Sequence, residues 1–171
     1  DYSEQPPAPT PTPSSLANAN AAISIAIDEE NPEVLFSSNA NTSFPIASLT
    51  KLMTALIVFE RYNLDQKVVI SQTAMSQIGE QGVLKLGETL SVRQLLYITL
   101  IESSNRSAKA LSEVMGTEHF IMLMNDRAES MGLSNTHFED VTGLSEKSYS
   151  SARDIARLSQ HLFKNYALFT E

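Results

Sequence analysis

The sequence runs to 171 residues with 42% hydrophobic content, enough for one domain with a substantial core. Its 12 basic residues against 20 acidic ones give a net charge of −8, and no two Lys or Arg residues are adjacent. That argues against a nucleic-acid partner, which needs clustered cations for its phosphates. The absence of cysteine excludes disulfides, thiolate nucleophiles and Cys-based metal sites.

Residues 1–20 hold Pro6-Pro7-Ala8-Pro9-Thr10-Pro11-Thr12-Pro13, a composition that cannot pack a core and favours extended polyproline II. It reads either as a tether to a signal or membrane anchor, or as an ordinary disordered tail. A domain is expected from residue 21 to 171. Ala22–Ile27 alternates as a strand, and Val34-Leu35-Phe36 is its partner across the turn Asp28–Pro32. After Phe44-Pro45-Ile46-Ala47 comes a helical run, Leu49-Met53-Leu56-Ile57. A helix beginning here has Ser48 in its first turn and Lys51 one turn along the same face. Val68–Ile70 is a short extended piece, and Gly79–Gly87 is a glycine-punctuated excursion. Ser91-Val92-Arg93-Gln94 is a capping box opening a helix to about Ile101. Ser103-Ser104-Asn105 then reads as an interhelix loop. Further helices are expected over Arg106–Met115, stopped by Gly116, and over Glu118–Met131, capped by Thr117 and ended by Gly132. Ser151-Ala152-Arg153-Asp154 is a second capping box, opening a helix to about Tyr166. Helices after a hairpin suggest an α/β (α+β) sandwich with a helical subdomain rather than a doubly wound parallel sheet. No apolar stretch reaches the roughly 18 residues that span a membrane.

The chemistry-bearing candidate is Ser48-Leu49-Thr50-Lys51. A serine hydroxyl becomes a nucleophile when a base takes its proton, and a lysine serves only if burial or a second cation lowers its pKa. A helix N-terminus adds N–H groups that can receive an oxyanion. Such a tetrad arises by chance about once in a chain of this length, yet Lys51 is the only one of six lysines with a serine three positions before it. Fifty-five residues on stands Ser103-Ser104-Asn105. Ser-x-x-Lys followed by Ser-x-Asn is two thirds of the signature of penicillin-interacting serine enzymes. Ser37-Ser38-Asn39 repeats the triplet, but it precedes the nucleophile in a turn-rich stretch and reads as strand-end chemistry.

The wider text resembles one family. Pro45–Ala55 looks like the nucleophile segment of the low-molecular-mass D-alanyl-D-alanine carboxypeptidases. Leu95-Leu96-Tyr97 and Leu100–Asn105, with Ala108 and Ala110-Leu111, resemble their second motif and its flanks. Phe120, Met124-Asn125, Met131-Gly132-Leu133, Thr136-His137-Phe138 and Thr142-Gly143-Leu144 resemble the downstream helix and loop. The likeness runs over roughly residues 22–170. It departs at Ser104, usually Gly or Ala, at Arg106, where Asp is common, and at Glu139-Asp140-Val141, where the family has an Asn-Pro pair.

The resemblance implies a penicillin-binding-protein/β-lactamase-like sandwich and removal of the terminal D-alanine from peptidoglycan stem peptides ending in D-Ala-D-Ala. It assigns Ser48 as nucleophile, Lys51 as general base and Ser103 as proton relay. Asn105 would bind the substrate amide and help hold Lys51. It implies no metal or organic cofactor, β-lactams as covalent inhibitors, and an extracytoplasmic place, with the membrane involved only through an anchor outside this sequence. The same residues would serve a DD-endopeptidase, a β-lactamase or a catalytically silent penicillin-sensing module. The family's third motif, Lys-Thr-Gly, does not occur. The start at Asp1 and the end at Glu171 are therefore expected to be cut ends, the sheet incomplete, and these residues alone inactive. His119, His137 and His161 are too scattered for a metal motif, no Gly-x-Ser-x-Gly elbow exists, and Glu29-Glu30 and Glu139-Asp140 are expected to be solvated turn acids.

Overall fold

The computed structural model describes residues 19–25, 33–79 and 82–167. Its centre is helix α1, Thr50–Arg61. Met53, Ala55, Leu56, Ile57 and Val58 are all essentially inaccessible, so this helix has no single apolar stripe. A helix buried all round must be enclosed by other elements. Four helices surround it: α3 (Val92–Ile101), α4 (Asn105–Glu113), α5 (Thr117–Ser130) and α6 (Ala152–Asn165). Leu95 and Leu96 of α3, Leu111 of α4, Phe120 and Met124 of α5, and Leu158 and Leu162 of α6 fill the space between them. Leu158 and Leu162 stand four residues apart, the spacing that aims both at α1.

Among the described residues six short strands make three separate antiparallel pairs. They are β1 (Ala22–Ile25) with β2 (Val34–Ser38), β3 (Ser43–Pro45) with β6 (Tyr149–Ser151), and β4 (Lys67–Val69) with β5 (Thr89–Ser91). A four-residue helix, α2 (Gln72–Met75), lies between β4 and β5. The first pair is the expected hairpin, with its turn, and so Glu29-Glu30, outside the described residues. β1 packs on α6, but Val34 and Leu35 of β2 stay open to solvent. The mixed fold agrees with the expected α/β (α+β) class, and the sheet is incomplete over the described residues. The tether expected over residues 1–20 lies almost wholly outside them. The strands β3, β5 and β6 carried no sequence signal. Three residues rich in Ser, Thr and Pro show no alternation, and only their distant partners make them strands.

The pair β3–β6 matters most for function, because β3 runs straight into the segment before α1. Opposite it, β6 follows the loop at 139–148, and an isolated bridge between His137 and Tyr149 closes that loop at its base.

Two expected caps differ in the structure. At the start of α3 the capping box forms: Ser91 Oγ accepts from Gln94 N at 3.2 Å and Gln94 Oε1 from Ser91 N at 2.9 Å. At α6, Ser91's counterpart Ser151 accepts from Asp154 N at 3.2 Å, while the Asp154 carboxylate instead accepts from Asn135 N at 2.8 Å and Thr136 Oγ1 at 3.0 Å. Thr117 is not the cap of α5. It is the first helical residue, preceded by Gly116 at φ +88°, and its hydroxyl takes the Lys109 ammonium at 2.7 Å. Among the described residues no helix is long and apolar enough to cross a membrane.

Candidate active site

Ala47, Ser48 and Leu49 form a single 3₁₀ turn that feeds α1, closed by Leu49 N donating to Ile46 O at 3.0 Å. Ala47 sits at φ +46°, a left-handed conformation that costs an L-residue about 1–2 kcal/mol. The result is that Ser48 is carried on the exposed side of the turn while Lys51, one helical turn later, is buried with only 3% of its surface accessible. Lys51 Nζ donates to Ser48 Oγ at 3.1 Å and to the carbonyl of Thr142 at 2.9 Å.

The second serine arrives from between α3 and α4. Ser103, at φ +56°, donates to Ser48 Oγ at 3.0 Å across 55 residues of sequence. What fixes it lies behind it. Ser104 is the N-cap of α4 and accepts from Ser107 N at 3.3 Å. Ser107 in turn donates to Leu95 O at 2.6 Å and accepts from Thr99 Oγ1 at 2.9 Å, which clamps α4 to α3. The middle residue of the triplet is thus a structural serine. Gly82 packs against it so closely that a Cβ there would lie 2.9 Å from Ser104 Cβ and 2.5 Å from Ile98 Cγ2.

Asn105 does not hold Lys51. It is the first residue of α4, and its carboxamide donates to the carbonyl of Ile78 at 2.8 Å. The place beside Lys51 expected for it is taken by the Thr142 carbonyl.

That carbonyl belongs to a turn built on Asp140. One carboxylate oxygen accepts from Thr142 N at 2.6 Å, from Thr142 Oγ1 at 2.9 Å and from Gly143 N; the other accepts from Ser145 N at 2.6 Å. The expectation of a solvated turn acid is corrected here: Glu139 is solvent-facing beside His137, but Asp140 is the hub of the loop. Its signal in the sequence is local, an Asp two and three residues before a Thr-Gly pair, which is the pattern of an Asx turn. Gly143, at φ +84°, lets this loop touch the nucleophile turn: a Cβ there would lie 1.8 Å from the oxygen and 2.3 Å from the carbon of the Ala47 carbonyl.

The electrostatics follow from these contacts. Burial disfavours the Lys51 ammonium and lowers its pKa, opposed in part by the negative charge of Asp140. Burial would raise the Asp140 pKa, but the N–H groups of Gly143, Ser145 and Thr142 and the Thr142 hydroxyl outweigh it and hold the carboxyl below its ordinary range. So the site pairs a fixed anion with an amine biased towards its free base.

A cavity of about 420 Å³ opens beside these groups, lined by Ala47, Ser48, Leu49, Lys51, Thr99 and Ser103 among others, a size suited to a small ligand end. A neighbouring cavity of about 440 Å³ shares Leu49 but is lined only by apolar and uncharged side chains such as Ile23, Phe44 and Ile155, so the chemistry belongs to the first. Among the described residues there is no group of three His, Cys, Asp or Glu side chains placed to hold a metal ion.

Comparison with known proteins gives concordant matches. The family model described as D-alanyl-D-alanine carboxypeptidase matches residues 9–170. The D-alanyl-D-alanine carboxypeptidase DacF of Bacillus subtilis is 35% identical over 148 residues, covering 82% of this chain and 38% of the relative. The D-alanyl-D-alanine endopeptidase of Escherichia coli is 38% identical over 137 residues, covering 77% of this chain and 44% of that protein. Among solved structures, the D-alanyl-D-alanine carboxypeptidase DacD of Francisella tularensis superposes with a TM-score of 0.79 at 31% identity, covering 86% of this chain and 38% of that one. A Streptomyces DD-transpeptidase superposes at 0.73 with 33% identity, covering 77% and 56%. The chain spans less than half the length of both of these curated relatives.

Proposed function

The chain belongs to the D-alanyl-D-alanine carboxypeptidase family, and on that premise we propose that it carries the nucleophilic half of a serine DD-carboxypeptidase site. The observation that carries this reading is one oxygen, Ser48 Oγ, within hydrogen-bond distance of both Lys51 Nζ and Ser103 Oγ. The substrate class is the peptidoglycan stem peptide ending in D-Ala-D-Ala.

In the proposed reaction Lys51 acts as the free amine. The 3.1 Å contact with Ser48 then reverses, the hydroxyl donating and the amine accepting. Ser48 Oγ attacks the carbonyl carbon of the penultimate D-alanine. The C–O bond forms, the carbonyl oxygen becomes an oxyanion, and the Ser48 backbone N–H at the head of α1 supplies one donor to it, a contribution of about 3 kcal/mol to the barrier. Ser103, 3.0 Å from Ser48 Oγ, passes the proton to the departing amine as the C–N bond breaks. Terminal D-alanine leaves, and water then hydrolyses the Ser48 ester by the reverse proton path. Asn105, anchored to Ile78 O, lies next to Ser103 and is assigned to the substrate amide. A substrate of this kind is met outside the cytoplasmic membrane, and the proline-rich N-terminal composition fits a surface tether, so an extracytoplasmic location is part of the proposal. β-Lactams, which present a strained amide to the same hydroxyl, are the expected covalent inhibitors.

The test is acylation of the natural full-length protein by a penicillin, read by intact mass. One adduct is expected, lost in Ser48→Ala; no adduct, or one that survives that substitution, overturns the reading. A second reading, DD-endopeptidase, is favoured by the relatives that carry that name at 36% and 38% identity. Digestion of purified sacculi separates the two, since a carboxypeptidase releases free D-alanine and an endopeptidase releases monomers from crosslinks.

A further inference from the structure

Asp140 is the charged group of the site to which no step of the proposed reaction gives a task. Three features of the structure give it one. It anchors the backbone on both sides of the Thr142 carbonyl, through Thr142 N and Gly143 N, and that carbonyl is the acceptor for Lys51 Nζ. It binds the Thr142 hydroxyl as well, so this residue has no freedom to swing its carbonyl away. And its second carboxylate oxygen accepts from Ser145 N at 2.6 Å, which ties the far side of the same turn to the same charge. We infer that Asp140 is a positioning residue of this chain, fixing the Thr142 carbonyl on the Lys51 amine and, by its charge, setting the pH range over which that amine works. The inference rests on the reading of Lys51 as general base.

The sign of the effect follows from the charges. A carboxylate favours the ammonium form of a nearby lysine, so Asp140 opposes the burial that lowers the Lys51 pKa. Four donors keep Asp140 itself ionised, so it remains a constant negative charge while Lys51 titrates. Several other charged groups on the elements packed against α1 are engaged elsewhere. Arg93 of α3 faces Asp65, and Lys109 of α4 is held by Thr117 and Glu113. Arg127 of α5 pairs with Glu60, and Asp154 of α6 is occupied by Asn135 and Thr136. The charge that acts on Lys51 is that of Asp140. Replacing Asp140 by Asn keeps an oxygen acceptor for Thr142 N and Gly143 N and removes the charge. More of Lys51 is then free amine at a given pH, and the rising limb of acylation moves to lower pH.

The experiment is the pH dependence of penicillin acylation of the natural full-length protein, comparing wild type, Asp140→Asn and Asp140→Ala, with thermal unfolding run alongside. The Asn variant is expected to acylate about two- to tenfold faster than wild type on the acid side of the profile. Its plateau rate should stay within about threefold of wild type. The Ala variant, which frees the Thr142 carbonyl, is expected to lose at least about tenfold of the plateau. Should Asp140→Asn fail to fold, Asp140→Ser carries the same expectation, since it too offers a neutral acceptor. A profile for the neutral variants that coincides with wild type, or moves to higher pH, overturns the inference while leaving Lys51 as base. A lowered plateau in both variants with no movement of the limb reduces Asp140 to loop structure and overturns it equally. Wild-type protein that acylates at no pH overturns the proposed function and this inference together.

Discussion

Gly143→Ala is the substitution whose consequences can be worked furthest. The added Cβ would stand 1.8 Å from the Ala47 carbonyl oxygen and 2.9 Å from Thr50 Oγ1. Carbon and oxygen tolerate about 3.3 Å, so the loop must retreat by more than an ångström, and the obstacle is backbone rather than a flexible side-chain end. The Lys51–Thr142 hydrogen bond, 2.9 Å long, then passes the limit of useful geometry. Losing it costs about 1.5–3 kcal/mol, and the alanine at φ +84° adds about 1–2 kcal/mol of strain. We expect a loss of about 3–4 kcal/mol in stability and, from misplacing the base, about a hundredfold fall in penicillin acylation rate. Gly87→Ala is the control: its φ is +77° but nothing lies within 4 Å of the new Cβ, so it should show the strain alone and acylate normally. The assays are intact-mass acylation kinetics and urea unfolding of both variants. Gly143→Ala acylating within threefold of wild type would refute the claim that this loop holds the base.

Lys51→Met fills the same volume without the amine. Acylation should fall at least a thousandfold, and the variant loses the hydrogen bond to the Thr142 carbonyl while shedding the cost of burying an amine. A depressed lysine pKa carries no stability penalty above 10.5, and the penalty grows as pH falls from there to the folded-state value, so the variant's deficit against wild type, measured by calorimetry, should be largest above 10.5 and shrink towards neutral pH. Asp154→Ala strips Asn135 N and Thr136 Oγ1 of a 1% exposed acceptor and should cost about 2–4 kcal/mol in urea unfolding. His161 has its pKa lowered by burial and then by Arg127. Its contribution to stability is complete above 6.5 and is lost as pH falls through the lowered value, so His161→Gln should flatten the acid side of the stability–pH curve.

The pairing of Ser48 with Lys51 was legible because it is a local fact, two side chains three positions apart at the head of a helix. Ser103 was legible as a motif, although nothing in the sequence places it 3.0 Å from Ser48. The partners of Lys51 were not. Thr142 reaches the amine across 91 residues, and a main-chain carbonyl has no signature in side-chain chemistry. Asp140 looked like a turn acid, and it is one, but its turn points inwards. The misread caps at Thr117 and Asp154 share a cause. Residues that could satisfy their own helix end were claimed by distant partners, and local propensity gives way when tertiary hydrogen bonds are offered.

The three segments that meet at Ser48 enclose stretches of 55 and 91 residues between them. Long loops close late when a chain folds. Helices α1 and α3 can therefore form, and give a native-looking circular dichroism spectrum, in molecules whose Ser48 still lacks Ser103 and whose Lys51 still lacks the Thr142 carbonyl. Covalent labelling of that serine would then count only the molecules that have finished assembling, a stricter gauge of correct folding during purification than helix content.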